Sequence, residues 1–192
     1  MPFLSEADRR SLLALARRSI SEAVSLQKLS AAIPWTGVFA KKRGVFVTLH
    51  VRGRLRGCIG VVEAYELLGD AVVRCAASAA LHDPRFSPVR PEELSGLHIE
   101  LSLLSPLEPI LPEQIEIGKH GLLISQGSRR GLLLPQVASE HKLDREQFLE
   151  ETCHKAGLKP NAWREPGVQI FGFFCEVFSE GKALEQESPG GG

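Results

Sequence analysis

The chain has 192 residues, 43% of them hydrophobic, and its 23 basic and 23 acidic residues balance to a formal net charge of zero. That length and apolar content suffice for one large domain or two subdomains with a buried core, while the charge balance lacks the basic footprint that nucleic-acid phosphates require. The four cysteines, at 58, 75, 153 and 175, form no C-x-x-C pair, which excludes zinc ribbons and thioredoxin-like motifs and fits free thiols in a reducing cytoplasm.

Glu6 and Asp8 replace the apolar core of a signal peptide, and no apolar run approaches the ~20 residues that span a bilayer, so a soluble cytoplasmic protein without membrane contact is expected. Ser5 with Asp8 three residues on resembles a capping box, and Leu12, Leu13, Ala16, Ile20, Ala23 and Val24 recur at helical spacing, predicting a helix over 6–30. Pro34 stops it. Val45–Val51 and Leu55–Gly60 flank an Arg52-Gly53 pair, which predicts a β-hairpin over 45–60.

The second strand of that hairpin, Leu55-Arg56-Gly57-Cys58-Ile59-Gly60, concentrates a cation, a thiol and two glycines. Alternation along a strand places Arg54, Arg56, Cys58 and Gly60 on one face. A guanidinium ~7 Å from a sulfur favours thiolate over thiol, which makes Cys58 the best candidate nucleophile. Gly57 and Gly60 would clear space for a ligand or another backbone beside it. The alternative stays open: cysteine is among the most buried residue types, and glycine often marks a bulge.

Residues 65–82 are rich in alanine, with Leu68, Val72, Cys75, Ala76 and Ala79 along one side, so a second helix is predicted there with Cys75 in the core. Pro84 ends it and leaves His82-Asp83-Pro84-Arg85-Phe86-Ser87-Pro88 as a fixed polar loop of the kind that carries function. Equally open is a bland role, Asp83 capping backbone amides and Arg85 pairing with a surface carboxylate. Residues 98–104 alternate as a half-buried strand, with Glu100 on its polar face as a candidate acid or base.

Farther on, 105–112 is a connector, and Leu122–Ser125 with Leu132–Pro135 predict a second hairpin around Gly127–Gly131. Asp144 opens a third helix, stopped by Gly157 and Pro160, with Cys153 on its inner side. Val168–Phe178 reads as a long strand with Phe on both faces, which predicts burial on both. The domain is expected to run over 1–183, followed by a disordered Gly/Ser/Pro-containing tail, 184–192.

The hexapeptide Leu55–Gly60 resembles the signature of the AMMECR domain family, and Asp83-Pro84-Arg85-Phe86, Ile99–Ser102, Gly118–Leu122, Leu134-Pro135-Gln136-Val137 and Cys153–Leu158 resemble that family in order and spacing over residues 6–180. Ser87 departs from it where relatives often carry Pro, as does His141-Lys142-Leu143 where an aromatic is common. The resemblance implies an α+β fold of two subdomains, each an antiparallel sheet with helices, with the signature strand facing a cleft between them, and it adds Gln136 to the site. It also implies a pathway shared with Memo-like and radical-SAM proteins, the AmmeMemoRadiSam system. It supplies no reaction.

Two functions are therefore carried forward. One is a cleft-based, thiol-dependent enzyme or enzyme partner, with Cys58 as nucleophile, Arg56 holding the thiolate or an anionic substrate group, and His120 or His82 carrying the proton. The other is a non-catalytic module that binds a protein, peptide or small molecule in the same cleft. In either case Gly57, Gly60, Asp83, Arg85, Phe86, Glu100 and Gln136 are the expected binding residues. Cys58 with His50, His82 or His120 lacks any local metal-ligand spacing, so neither metal nor cofactor is expected.

Overall fold

The structure, a computed structural model, describes residues 4–26, 34–63 and 65–181. It is an α+β protein built as two compact units, the first holding the described residues up to Ser102 and those from Val177 on, the second Leu103–Glu176. No helix among the described residues is long and apolar enough to cross a membrane.

In the first unit, α1 (Glu6–Leu26) starts on the capping box read from the sequence, with the Asp8 N–H donating to Ser5 Oγ at 3.1 Å and the Ser5 N–H to Asp8 Oδ2 at 3.3 Å. The predicted last turn, 27–30, lies outside the described residues. Leu12, Leu15, Ala16, Ile20 and Ala23 are buried on one stripe. Arg17 fastens this helix to the unit, donating to the Leu94 and Leu97 carbonyls and pairing with Glu180, whose Oε2 also accepts the Ile99 N–H.

Helix α2 (Leu68–Leu81) packs against α1 and against the hairpin of β1 (Val45–Val51) and β2 (Arg54–Val61). Its alanines allow the close approach, since Ala76, Ala77, Ala79 and Ala80 are all buried. The turn Arg52-Gly53 has both φ angles positive, 49° and 73°, as a type I′ hairpin turn requires. With β3 (Leu97–Leu104) the strand order in this unit is β2-β1-β3. Val45, Val47, Leu49, Ile99 and Leu101 form the buried side, while Phe46, Thr48, His50, His98 and Glu100 alternate onto the other face, half-buried.

In the second unit, β5 (His120–Gln126) pairs with β6 (Arg129–Leu133) and with β7 (Gln169–Ser179), and the short β4 (Glu108–Pro109) lies on the opposite edge of β7. The core gathers Ile115, Leu122, Ile124, Ala138, Phe148, Leu149 and Cys153. Helix α4 (Arg145–Lys155) has the expected Asp144/Gln147 capping box and ends at Gly157, φ 70°.

Two expectations change here. Pro135 does not end the second hairpin but opens an additional helix, α3 (Pro135–Glu140), because a proline at the first helical position loses no hydrogen bond. The long terminal strand is not buried on both faces: Phe173 is 1% exposed and Phe174 51%. The predicted tail, 184–192, lies outside the described residues.

Close packing at one glycine has a measurable consequence. A Cβ on Gly57 would stand 2.1 Å from the Ala79 carbonyl oxygen, backbone against backbone. Gly57→Ala is expected to lower stability by about 2–3 kcal/mol through displaced α2. Gly53→Asn, in an open turn position whose left-handed φ asparagine tolerates, is expected to cost under about 1 kcal/mol. Urea unfolding midpoints of the two variants check this contrast.

Candidate functional site

Cys58 sits near the middle of β2, an edge strand. Its N–H points away from β1 and donates to Asp83 Oδ2 at 2.8 Å. The Thr48–Cys58 pair is therefore of the narrow, non-hydrogen-bonded kind, in which facing side chains come close. Thr48 Oγ1 accordingly donates to Cys58 Sγ at 3.4 Å. The sulfur is half-buried, neither sealed in the core nor fully exposed.

Asp83 lies just past the end of α2, in a loop drawn back onto that helix by the Val89 N–H donating to the Ala80 carbonyl. Its side chain is only 2% exposed, and Arg85 answers the buried charge: Nε donates to Oδ1 at 3.0 Å and Nη2 to Oδ2 at 2.7 Å. The Arg85 hydrogen bonds, joined by the Cys58 N–H and opposed by desolvation, hold the Asp83 carboxyl well below the usual carboxylate range. Arg85 Nη2 also donates to the Cys58 carbonyl at 3.3 Å. Asp83 raises the Arg85 pKa first, and the Cys58 sulfur contributes in the same direction. The guanidinium also lies 5.4 Å from the ring centroid of Phe86, which places that third loop residue in the cluster.

The cation expected beside Cys58 is thus Arg85, and the expectation for Arg56 is corrected. The ladder pairs Leu49 with Gly57 but His50 with Leu55, leaving Arg56 as the extra residue of a β-bulge. Beyond the bulge the alternation inverts, so Leu55, opposite His50, joins the Cys58 side and Arg54 goes to the other. The Arg56 guanidinium pairs with both Glu93 oxygens, at 2.8 and 3.0 Å, and donates to the Ser87 and Pro88 carbonyls. Arg56 and then the Arg90 N–H bring the Glu93 pKa down to about 2.

At Gly57 the expected close approach is made by another backbone, and at Gly60 it is made by a side chain, so neither glycine leaves room for a ligand. The side of Gly57 is filled by α2, and a Cβ on Gly60 would meet the Phe46 ring at 2.3 Å. Phe46 lies over Gly60 because the two are cross-strand partners on one face. Glu100, half-buried, alternates onto the same sheet face as Thr48, two strands from Cys58. His82 caps the C-terminus of α2 through its backbone N–H, directly before Asp83.

His120 and Gln136 belong to the second unit. His120 Nδ1 accepts the Glu116 N–H at 3.0 Å, and its ring meets Phe174 at 4.8 Å between centroids. Gln136, second residue of α3, has a buried Oε1 with no hydrogen-bond partner among the described residues. Cys75 and Cys153 are core residues, and burial pushes the Cys75 thiol up to about 11. Among the described residues, no three His, Cys, Asp or Glu side chains form a metal-binding group. Sequence reasoning missed Thr48 and Glu93; only cross-strand register and the fold-back of the 83–93 loop bring them to Cys58 and Arg56.

Comparison with known proteins places this geometry in a family. The AMMECR1 family model matches residues 13–178. A protein of Methanothermobacter thermautotrophicus is 44% identical over 92% of this chain and 96% of its own length, and one of Methanosarcina barkeri is 44% identical over 95% and 97%. The crystal structure of an uncharacterized protein from Pyrococcus horikoshii is similar with a TM-score of 0.81 at 39% identity, covering 90% of this chain and 91% of that one.

The Arg56–Glu93 pair sets an acid limit. Because the folded Glu93 pKa of about 2 lies below its ordinary 4.5, its stabilisation is complete above pH 4.5 and is lost as pH falls through the interval to about 2. Glu93→Gln is expected to cost about 2 kcal/mol at pH 7. Its deficit against the unsubstituted protein should shrink steadily below pH 4.5. Thermal melts from pH 7 to 2 measure this; a deficit that stays constant would contradict it.

Proposed function

The chain belongs to the AMMECR1 family, and from the setting of Cys58 we propose that it is a thiol-dependent enzyme or the thiol-bearing partner of one, with Cys58 as nucleophile and Arg85 as the fixed cation bound to its backbone. One observation carries this reading. The sulfur accepts a hydrogen bond from Thr48 on a half-buried face, while a guanidinium locked in place by Asp83 donates to the carbonyl of Cys58 itself. A hydroxyl donor and a fixed cation both stabilise negative charge on sulfur. Asp83 acts as the positioning residue, since without it Arg85 loses two of its three hydrogen-bonded anchors.

Glu100 on the same sheet face is the acid or base this reading draws on, and His82, next to Asp83 at the end of α2, is its proton carrier. The free thiols support a reducing cytoplasm, and the family resemblance supports action beside Memo-like and radical-SAM proteins. A second reading rests on its own observation: Arg56, Gly57 and Gly60 are all engaged within the protein. That suits a module in which the hexapeptide builds a rigid face, with Phe46, Thr48, His50 and Cys58 meeting a protein or peptide partner.

Native alkylation separates the two. With iodoacetamide at pH 7, Cys58 is expected to label at least about tenfold faster than Cys75 and Cys153, which burial protects until unfolding. Arg85→Gln should slow Cys58 several-fold, and Arg56→Gln, assayed where it remains folded, should leave the rate nearly unchanged. Equal labelling in the Arg85 variant would remove the thiolate basis. A Cys58→Ser protein that keeps full cellular function would favour the binding module.

A further inference from the structure

We propose that the second unit carries a binding pocket of its own, one that takes an α-amino acid with an apolar side chain. It is independent of the Cys58 reading and rests on the way the unit's sheet runs out from under its helices.

Cross-strand partners share a face. Phe174 pairs with His120, Gly172 pairs with Leu122 on one side and Glu108 on the other, and Ile170 pairs with Ile124. His120, Leu122, Ile124, Ile170, Gly172, Phe174 and Glu108 therefore lie on one surface. Toward the Ile124 end this surface is the core, packed with Phe148, Leu149 and Cys153 of α4. Toward the other end the cover stops, and a large aromatic, Phe174, is left 51% exposed. Between them Gly172 presents no side chain, and Ile110 closes over it, 3.0 Å from where a Cβ would be. The result is a pocket of about 390 Å³ walled by Pro106, Pro109, Ile110 and Phe174, the low end of the size range for small-molecule sites.

The polar groups around it are oriented by bonds they have already made. His120 Nδ1 accepts the Glu116 N–H, so the ring proton sits on Nε2, which is left as a donor. Gln114, which also lines the pocket, accepts the Leu111 N–H at Oε1, which leaves its NH₂ as a second donor. Glu108, on the far side of Gly172, contributes a carboxylate. Two strand spacings across and two residues along β7 separate the Glu108 and His120 Cα atoms by roughly 12 Å. Two side chains reaching inward over that distance leave room for an ammonium and a carboxylate carried by one carbon atom. A carboxylate facing the two donors, an ammonium facing Glu108 and an apolar side chain against Phe174 and Ile110 satisfy all of these groups together. A simple acid would meet Glu108 unpaired, and a simple amine would leave the donors idle.

The test is calorimetric titration of the full chain with L-phenylalanine, phenylacetate and phenethylamine. L-Phenylalanine is expected to bind with a Kd of about 1 mM or tighter, with the other two about tenfold weaker or more. His120→Ala and Phe174→Ala should each weaken it about tenfold. Glu108→Gln should bring L-phenylalanine to the level of phenylacetate while leaving phenylacetate unweakened. Melting curves establish that each variant is folded, and Cys58→Ser should bind as the unsubstituted protein does, so that failure of this inference and failure of the thiol reading remain distinguishable. No heat at about 20 mM ligand, phenylacetate equal to L-phenylalanine, or binding indifferent to all three substitutions would overturn the proposal.

Discussion

The first unit depends on one carboxylate. Strand β2 is an edge, and an edge strand leaves alternate N–H and C=O groups without a ladder partner. At Cys58 the loop after α2 stands in for the missing strand: Asp83 accepts the N–H and Arg85 donates to the carbonyl. Burying Asp83 is tolerable because Arg85 and two backbone amides surround it; an unpaired carboxylate there would be strongly destabilising. This contact ties the end of the helix, the hexapeptide and the only sulfur on that strand into one rigid assembly.

A second staple works on the same loop. The bulge at Arg56 turns its side chain out of the sheet's alternation and onto Glu93 and the carbonyls of Ser87 and Pro88. The residues between 83 and 93 are thus held to β2 at both ends. The charged hydrogen bonds involved are of the stronger class, and their joint effect is to fix the backbone of Cys58 rather than to crowd its side chain. A site whose framework is this constrained and whose single thiol remains half-open has the form expected of a preorganised group.

The two glycines of the hexapeptide divide between the two faces of the sheet. Gly57 lets α2 approach until its Ala79 carbonyl touches the strand, and Gly60 gives the Phe46 ring a seat beside Cys58. The second unit solves a different problem. Its sheet is longer than the helices covering it, so His120, Phe174 and Glu108 fall where a core would otherwise continue.

Much of this was legible in the sequence. Helical spacing located α1, α2 and α4, the Arg52-Gly53 pair fixed the hairpin, and Cys75 and Cys153 were assigned to the core, because each of these depends on neighbours within a few residues. The identity of the cation beside Cys58 was not legible. Strict alternation pointed to Arg56, and a one-residue bulge, invisible in composition, handed that place to Arg85 from 27 residues away. Thr48 and Glu93 entered by register and by a loop folding back, and Phe174 was left exposed by the reach of the helices rather than by its own hydrophobicity. Local periodicity, capping and turn chemistry are written residue by residue. Which charge meets which, and where a face is left uncovered, is set only when distant segments close on one another.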